Sequence, residues 1–172
     1  MSLMIVGIII LDQVTKGAVQ QNIPLGGQIP VIPGLFNFSH VHNPGAAFGM
    51  GAYGHDTMRL VMFKIVPVFA CFWLIYLIWK ERHKSLLLCT AYSLVFAGAV
   101  GNLIDRISLD YVVDFLDFYI GDKHFPSFNI ADSSISIAAG LLILDFILSF
   151  KKAGYPHEDE GQGADQKTEN QS

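Results

Sequence analysis

The stretch TMRLVMFKIVPVFACFWLIYLIW, Thr57 to Trp79, decides the fold. Its only charged residues are Arg59 and Lys64, and it exceeds the roughly 20 apolar residues that a helix needs to cross a bilayer core. In lipid every backbone N–H and C=O must be bonded within the segment, so a helix is expected rather than a strand. Three further apolar segments accompany it. The predicted spans cover residues 2–19, 57–79, 85–105 and 132–150. The first is short before Asp12. A spanning helix is preferred there over a cleaved signal peptide, because no basic residue precedes the apolar run and no small-residue cleavage site closely follows it.

Composition agrees with a membrane protein. Of 172 residues, 52% are hydrophobic and 15% charged, where a soluble domain carries about 25% charged residues. The net charge of −4 comes entirely from the C-terminal end, where Glu158, Asp159, Glu160, Asp165 and Glu169 face Lys167 alone. The expected organisation is one membrane domain, 1–152, followed by an acidic, disordered cytoplasmic tail, 153–172. Cys71 and Cys89 sit inside apolar runs and read as small buried hydrophobes.

Basic residues set the orientation. Lys80, Arg82 and Lys84 join the second and third spans, and Lys151 and Lys152 close the fourth. The positive-inside rule places both clusters, and with them both termini, in the cytoplasm. Trp73, Tyr76 and Trp79 form an aromatic belt on that side. Two loops, 20–56 and 106–131, then face outward. Within the first, Gln28 to Ile32 leads through the turn pair Pro33-Gly34 into Leu35 to His42. Phe36 and Phe38 are expected on one face, with Asn37, Ser39 and Asn43 on the other. The fold class is an all-α membrane protein of four transmembrane helices with a small extracytoplasmic β-sheet. His40 and His42 share a strand face, but a zinc site needs a third ligand and none lies at obvious spacing, so they read as a polar sheet edge.

Charge inside a bilayer is costly, so ionisable residues near the spans are candidates for function. Asp12, Thr15 and Lys16 share a helix face at i, i+3 and i+4, as a polar clamp or as an interfacial anchor with Lys16 snorkelling. Asn102, Asp105 and Arg106 repeat that spacing, and Arg106 is placed to hold Asp105 or a substrate carbonyl. Asp114 and Asp132 lie among apolar neighbours on different elements. Brought together, two such carboxyls share one proton and suit peptide hydrolysis. The alternative for Asp132 is a helix N-cap. Asp110 and Asp117 are rival partners for Asp114, and Asp145 is expected to bond across helices.

Five blocks together resemble the lipoprotein signal peptidases, or signal peptidase II family. They are Asp12-Gln13-Val14-Thr15-Lys16, Asn43 to Gly49, Gly101 to Arg106, Val112 to Phe115, and Phe128 to Asp132. The resemblance spans about Leu11 to Phe150. It implies an aspartic protease of the bacterial cytoplasmic (inner) membrane that cuts the signal peptide from prolipoproteins, just before a cysteine carrying diacylglyceryl. It implies Asp114 and Asp132 as the catalytic dyad. Asn43, Asn102, Arg106 and Asn129 would position substrate or hold the site together, with Asp12 and Lys16 supporting them. The expected partners are lipid-modified prolipoproteins and membrane lipid, with no nucleic acid, metal or cofactor, and the chain is expected to act as a monomer. A proton-coupled transporter and a membrane scaffold are the rival classes. The first expects acids spread through the membrane depth and an internal repeat. A metalloprotease would need a motif such as H-E-x-x-H, which the sequence lacks.

Overall fold

A computed structural model describes residues 1–45 and 55–153, and side chains as far as residue 150. Four helices in it are long and apolar enough to cross a membrane: α1 (Ser2–Asn22), α2 (Asp56–Glu81), α3 (Leu86–Ser108) and α4 (Ile130–Ala153). Helix α1 continues past its charged residues because Asp12 and Lys16 are buried against partners inside the protein. Helix α2 carries a π-helical turn at Val61–Ile65. That wide turn comes just before Pro67, which has no N–H to continue the ladder. Outward from the bundle, Phe69, Phe72, Trp73 and Trp79 of α2 are exposed, as a lipid-facing surface requires.

Small residues bring the helices together. Ala91 and Leu94 of α3 pack on Ala138 of α4, with Met4 and Ile8 of α1 against them. A Cβ added at Gly98 would meet the carbonyl of Ala131 and stand 2.6 Å from Ser134 Oγ. One turn later, a Cβ at Gly101 would stand 2.8 Å from Asp12 Oδ2 and 3.2 Å from Ala131 Cβ. Glycine at these two positions lets α3 touch α4 and α1 where the polar residues gather.

The outer connections form one antiparallel sheet in the order β1 (Gln28–Ile32), β2 (Phe36–Asn43), β3 (Val112–Ile120), β4 (Lys123–His124). The Ile32–Leu35 turn has Pro33 second and Gly34 third at φ +83°, closed by Leu35 N–H on the Ile32 carbonyl at 3.0 Å. Positive φ at the third position is the type II geometry, which glycine enters without strain. Val113 and Phe115 of β3 pack on Val19 and Ile23, so the sheet sits on the end of α1.

The expected alternation along β2 fails in the middle. Phe38 pairs with Leu116 and Val41 with Asp114, so β2 spends one residue more than β3 over that interval. The resulting bulge buries Ser39 and His40 in succession, and a bulge re-aims every side chain after it. Strand β2 lies between β1 and β3, but its pairing with β1 ends at Ser39, so the stretch carrying His40 and His42 runs past β1. The expectation of a disordered tail falls on residues 154–172, outside the described part, as do residues 46–49 of the Asn43–Gly49 block.

The close approach at Gly98 yields a test. Gly98→Ala overpacks the α3–α4 contact and should destabilise the fold by about 1–3 kcal/mol. Gly140→Ala, where a Cβ meets nothing within 4 Å, should be neutral or slightly stabilising. Thermal unfolding in detergent compares the two.

Candidate functional site

The site is built around the first turn of α4. Asn129 precedes the helix, and its Oδ1 accepts the N–H of Asp132 at 2.9 Å. Asp132 Oδ2 accepts the N–H of Asn129 in return, at 3.3 Å. This reciprocal pair is a capping box, which satisfies two N–H groups that a helix start otherwise leaves open. A third, that of Ala131, is taken by Asp12 Oδ1 at 2.9 Å. Asp132 is therefore the third helical residue, and the cap is Asn129, contrary to the N-cap alternative for Asp132. The second oxygen of Asp132, Oδ1, accepts from Asn102 Nδ2 at 2.8 Å.

Behind that turn lies a buried ion cluster. Lys16 Nζ stands 2.8 Å from Asp12 Oδ2 and 2.9 Å from Asp105 Oδ2, and all three side chains are almost fully buried. The third donor direction of Lys16 reaches Asn102 Oδ1 at 3.0 Å. Lys16 is thus an interior cation, not an interfacial anchor. Asp105 belongs to it and not to Arg106. Asp105 Oδ2 also accepts the Val113 N–H at 3.2 Å, tying α3 to β3. Thr15 takes no part in the cluster; its hydroxyl donates to the Leu11 and Asp12 carbonyls of its own helix. Gln13 does take part, donating to Asp105 Oδ1 at 2.9 Å and to the Gly101 carbonyl at 3.1 Å.

Asp114 enters from β3. Its Oδ1 accepts from Asn129 Nδ2 at 2.8 Å and its Oδ2 from Asn43 Nδ2 at 3.0 Å. The same Asn129 therefore holds Asp114 through its amide nitrogen and Asp132 through its amide oxygen and backbone N–H. Asp114 is 3% exposed. Burial, and then the nearby charge of Asp132, push its carboxyl up to about 7, against the opposing pull of the Asn43 and Asn129 hydrogen bonds. The rival acids lie elsewhere. Asp117, three residues along the strand, bonds Asn37 and His124, since odd spacing turns it to the other face. Asp110 stands at φ 68° in the turn before β3 and pairs with Lys64 at 2.6 Å; that bond holds its carboxyl below the ordinary value.

Two arginines grip the chain just after Asn43. Arg106 donates to the Gly45 carbonyl at 3.1 Å. Arg59 donates to the Pro44 carbonyl at 3.3 Å and to that of Asp110 at 3.4 Å. They line a cleft of ≈ 570 Å³ with Pro44, Leu60, Phe63 and Lys64. Asp56 and Asp110 also line it, so its walls combine apolar surface with charges of both signs. Arg59 and Gln13 are site residues that the sequence does not single out, and Asp105 is one whose partner it misassigns to Arg106. For Asp105 the spacing from Asn102 is a signal; for Arg59 a lone arginine at a span end offers none.

The remaining candidates are apart from this cluster. His40 Nδ1 lies 2.8 Å from the Ile23 carbonyl, and His40 Nε2 lies 3.2 Å from His42 Nε2. His42 stacks on Tyr111, with ring centres 3.6 Å apart. Burial, and then His40, hold His42 below the ordinary imidazole value. Among the described residues, no group of three or more His, Cys, Asp or Glu could hold a metal. Among the described residues, Asp145 shows no helix-to-helix bond through its carboxylate, contrary to expectation; its carbonyl accepts from Ser149 within α4. Cys71 and Cys89 are free and buried.

Residues 4–148 match the family described as Signal peptidase (SPase) II. A lipoprotein signal peptidase of Syntrophus aciditrophicus (strain SB) is 42% identical over 145 residues, covering 84% of this chain and 90% of that protein. One of Shewanella pealeana (strain ATCC 700345 / ANG-SQ1) is 43% identical, with 86% and 85% covered. A solved structure described as a bacterial membrane enzyme superposes with a TM-score of 0.77 at 37% identity, over 93% of each chain.

Two stability outcomes follow from the geometry. Lys16→Met strips the shared cation from two buried carboxylates, and breaking such a cluster costs about 3–5 kcal/mol; the variant should show a sharply lowered Tm or fail to fold. For Asp114 the sign is the reverse. Its carboxyl binds a proton at about 7 when folded but near 3.9 when unfolded. Stability is therefore full below pH ~4 and declines as pH rises through about 7. Asp114→Asn removes that decline. It should stabilise the fold, and so raise Tm, more at pH 8 than at pH 5; the difference in stability is at most about 3 kcal/mol, since about two pKa units of the decline fall between those pH values at ~1.4 kcal/mol per unit. Thermal unfolding at both pH values checks it.

Proposed function

The chain belongs to the signal peptidase II family, and from that premise we propose that it is an aspartic endopeptidase. It removes the signal peptide from diacylglyceryl-modified prolipoproteins and cuts just before the lipidated cysteine. The observation that carries this reading is the single side chain of Asn129, bonded to both Asp114 and Asp132. One residue holds two carboxyls from separate elements in a fixed relation, next to a cleft that shares Arg106 with the site.

In this reading the pair shares one proton. Asp114, whose carboxyl is pushed up to about 7, carries it near neutral pH, and Asp132 acts as base. A water molecule gives a proton to Asp132 as its oxygen attacks the scissile carbonyl carbon. Asp114 gives its proton to the carbonyl oxygen, producing a tetrahedral diol. Collapse of the diol returns the hydroxyl proton to Asp114. The proton held by Asp132 passes to the leaving nitrogen as the C–N bond breaks. The products are a new carboxyl terminus on the signal peptide and a free amine on the lipidated cysteine. Arg106, now on the Gly45 carbonyl, is placed to hold substrate carbonyls as the extended peptide enters.

The orientation is part of the proposal. Basic residues at Lys80 to Lys84 and at Lys151 and Lys152 put the termini in the cytoplasm and the sheet and site at the outer face of the bacterial inner membrane. Substrate lipid then arrives laterally within the outer leaflet while water arrives from the aqueous side. The chain works as a monomer, with membrane lipid around it.

The test uses a synthetic prolipoprotein made with and without its diacylglyceryl group. Wild type should cleave the lipidated form at least ~100-fold faster, reflecting several kcal/mol of lipid burial at ~0.8 kcal/mol per CH₂. Asp114→Asn and Asp132→Asn should each lose at least ~10³-fold in kcat, the scale expected when acid–base catalysis and water activation fail together. Either variant retaining near wild-type cleavage would sink the assignment.

A further inference from the structure

Asn43 is the last residue of β2 and pairs with Val112, the first of β3. Beyond that pair the two chains part, so the sheet is open to fraying at this end. Asp114 lies just inside it, with its Oδ2 held by Asn43 Nδ2 at 3.0 Å. The aim of that amide is set from its other side. Asn43 Oδ1 accepts the N–H of Gly45 at 3.0 Å, a turn in which an asparagine side chain bonds its own backbone two residues on. With the oxygen so engaged, the amide nitrogen is turned to Asp114. The direction of the Asn43 side chain therefore follows the path of the chain at Pro44 and Gly45.

That path is held by the two arginines. Arg106 takes the Gly45 carbonyl at 3.1 Å and Arg59 the Pro44 carbonyl at 3.3 Å. The same nitrogen of Arg59, Nη2, also donates to the Asp110 carbonyl at 3.4 Å, in the turn that leads into β3. One nitrogen thus spans both chains where they part. Lys64 holds the same turn through the Asp110 side chain at 2.6 Å. Arg59 sits there at a cost. Its Nε is buried and has no partner among the described residues, and a buried N–H left unmade is destabilising. Its place is therefore not explained by stability alone, which fits a residue kept for function.

We propose that Arg59 is a positioning residue for the peptidase reaction: by joining Pro44 to Asp110 it keeps Asn43 aimed at Asp114. Arg59 bonds neither carboxyl of the dyad and acts through Asn43. The inference rests on the peptidase reading above.

The test is a double-mutant cycle on kcat, with the full chain in detergent cleaving the synthetic diacylglyceryl prolipoprotein and each rate taken per folded protein. Arg59→Met should lower kcat at least ~10-fold and leave KM within ~2-fold, since a misplacement of about 1 Å at a reacting group can cost ~100-fold in rate. Arg59→Lys, which keeps one donor head, should lose less. Asn43→Ala should lower kcat by itself, and Arg59→Met added to it should cost no more than a further ~2-fold, because residues acting through one contact are not additive. Losses that multiply in full overturn the proposal. A raised KM at unchanged kcat overturns it too, since Arg59 would then bind substrate directly. Arg59→Lys carries the same cycle if Arg59→Met does not fold. Asp114→Asn run alongside separates the two levels. Cleavage retained there removes the peptidase reading and the role of Arg59 with it, whereas multiplied losses remove the role of Arg59 alone.

Discussion

Lys16 is the interaction on which the rest of the site depends. Its side chain is 3% exposed, and its ammonium lies within 2.9 Å of carboxylates from α1 and α3. Buried charge is tolerated only when paired and hydrogen-bonded on all sides, and this cluster meets that condition closely. Asp12 has its other oxygen on the Ala131 N–H, and Asp105 accepts from Gln13 and from the Val113 N–H. A single cation thereby joins α1, α3, the start of α4 and the start of β3. Gly98 and Gly101 are the steric counterpart, since only without side chains there can the helices come near enough for these bonds.

The same ammonium sets the direction of the hydrogen bonds that reach the aspartates. Lys16 Nζ and Asn129 Nδ2 both donate to Asn102 Oδ1. With its oxygen so engaged, Asn102 turns its Nδ2 to Asp132. Asn129 in turn spends its amide protons on Asn102 and Asp114 and its oxygen on the Asp132 N–H. Each amide has one orientation that satisfies its neighbours, so the network fixes the geometry of two carboxyls that would otherwise repel. Asp114 is costly in this place: burial and Asp132 both oppose its charge. Stability is given up there for a carboxyl that keeps its proton near neutral pH.

Much of this was legible in the chain itself. Hydropathy marks all four spans, because a bilayer imposes one length and one polarity on every crossing segment. The pair Pro33-Gly34 announced its turn because only glycine takes φ +83° freely. What resisted reading were effects of partners distant in sequence. Lys16 reads equally as a clamp on Asp12 or as an interfacial anchor; the clamp is the one formed, and its other partner, Asp105, lies 89 residues away in numbering. Asp132 reads as an N-cap because residue type alone does not separate the cap from the third helical position; Asn129 takes the cap here. The β2 alternation broke at a bulge whose cause is the register with β3. Arg59 had no local signal, since its acceptors are backbone carbonyls.

In the proposed mechanism Asp114 and Asp132 share one proton while the enzyme works. The pH dependence of kcat/KM on a diacylglyceryl prolipoprotein tests it most directly, because that profile reports the essential acid and base of the free enzyme. The account expects a bell-shaped profile whose alkaline limb falls near pH 7, where Asp114 gives up its proton. Activity that holds level or rises from pH 6 to pH 9, in protein that remains folded across that range, would contradict it.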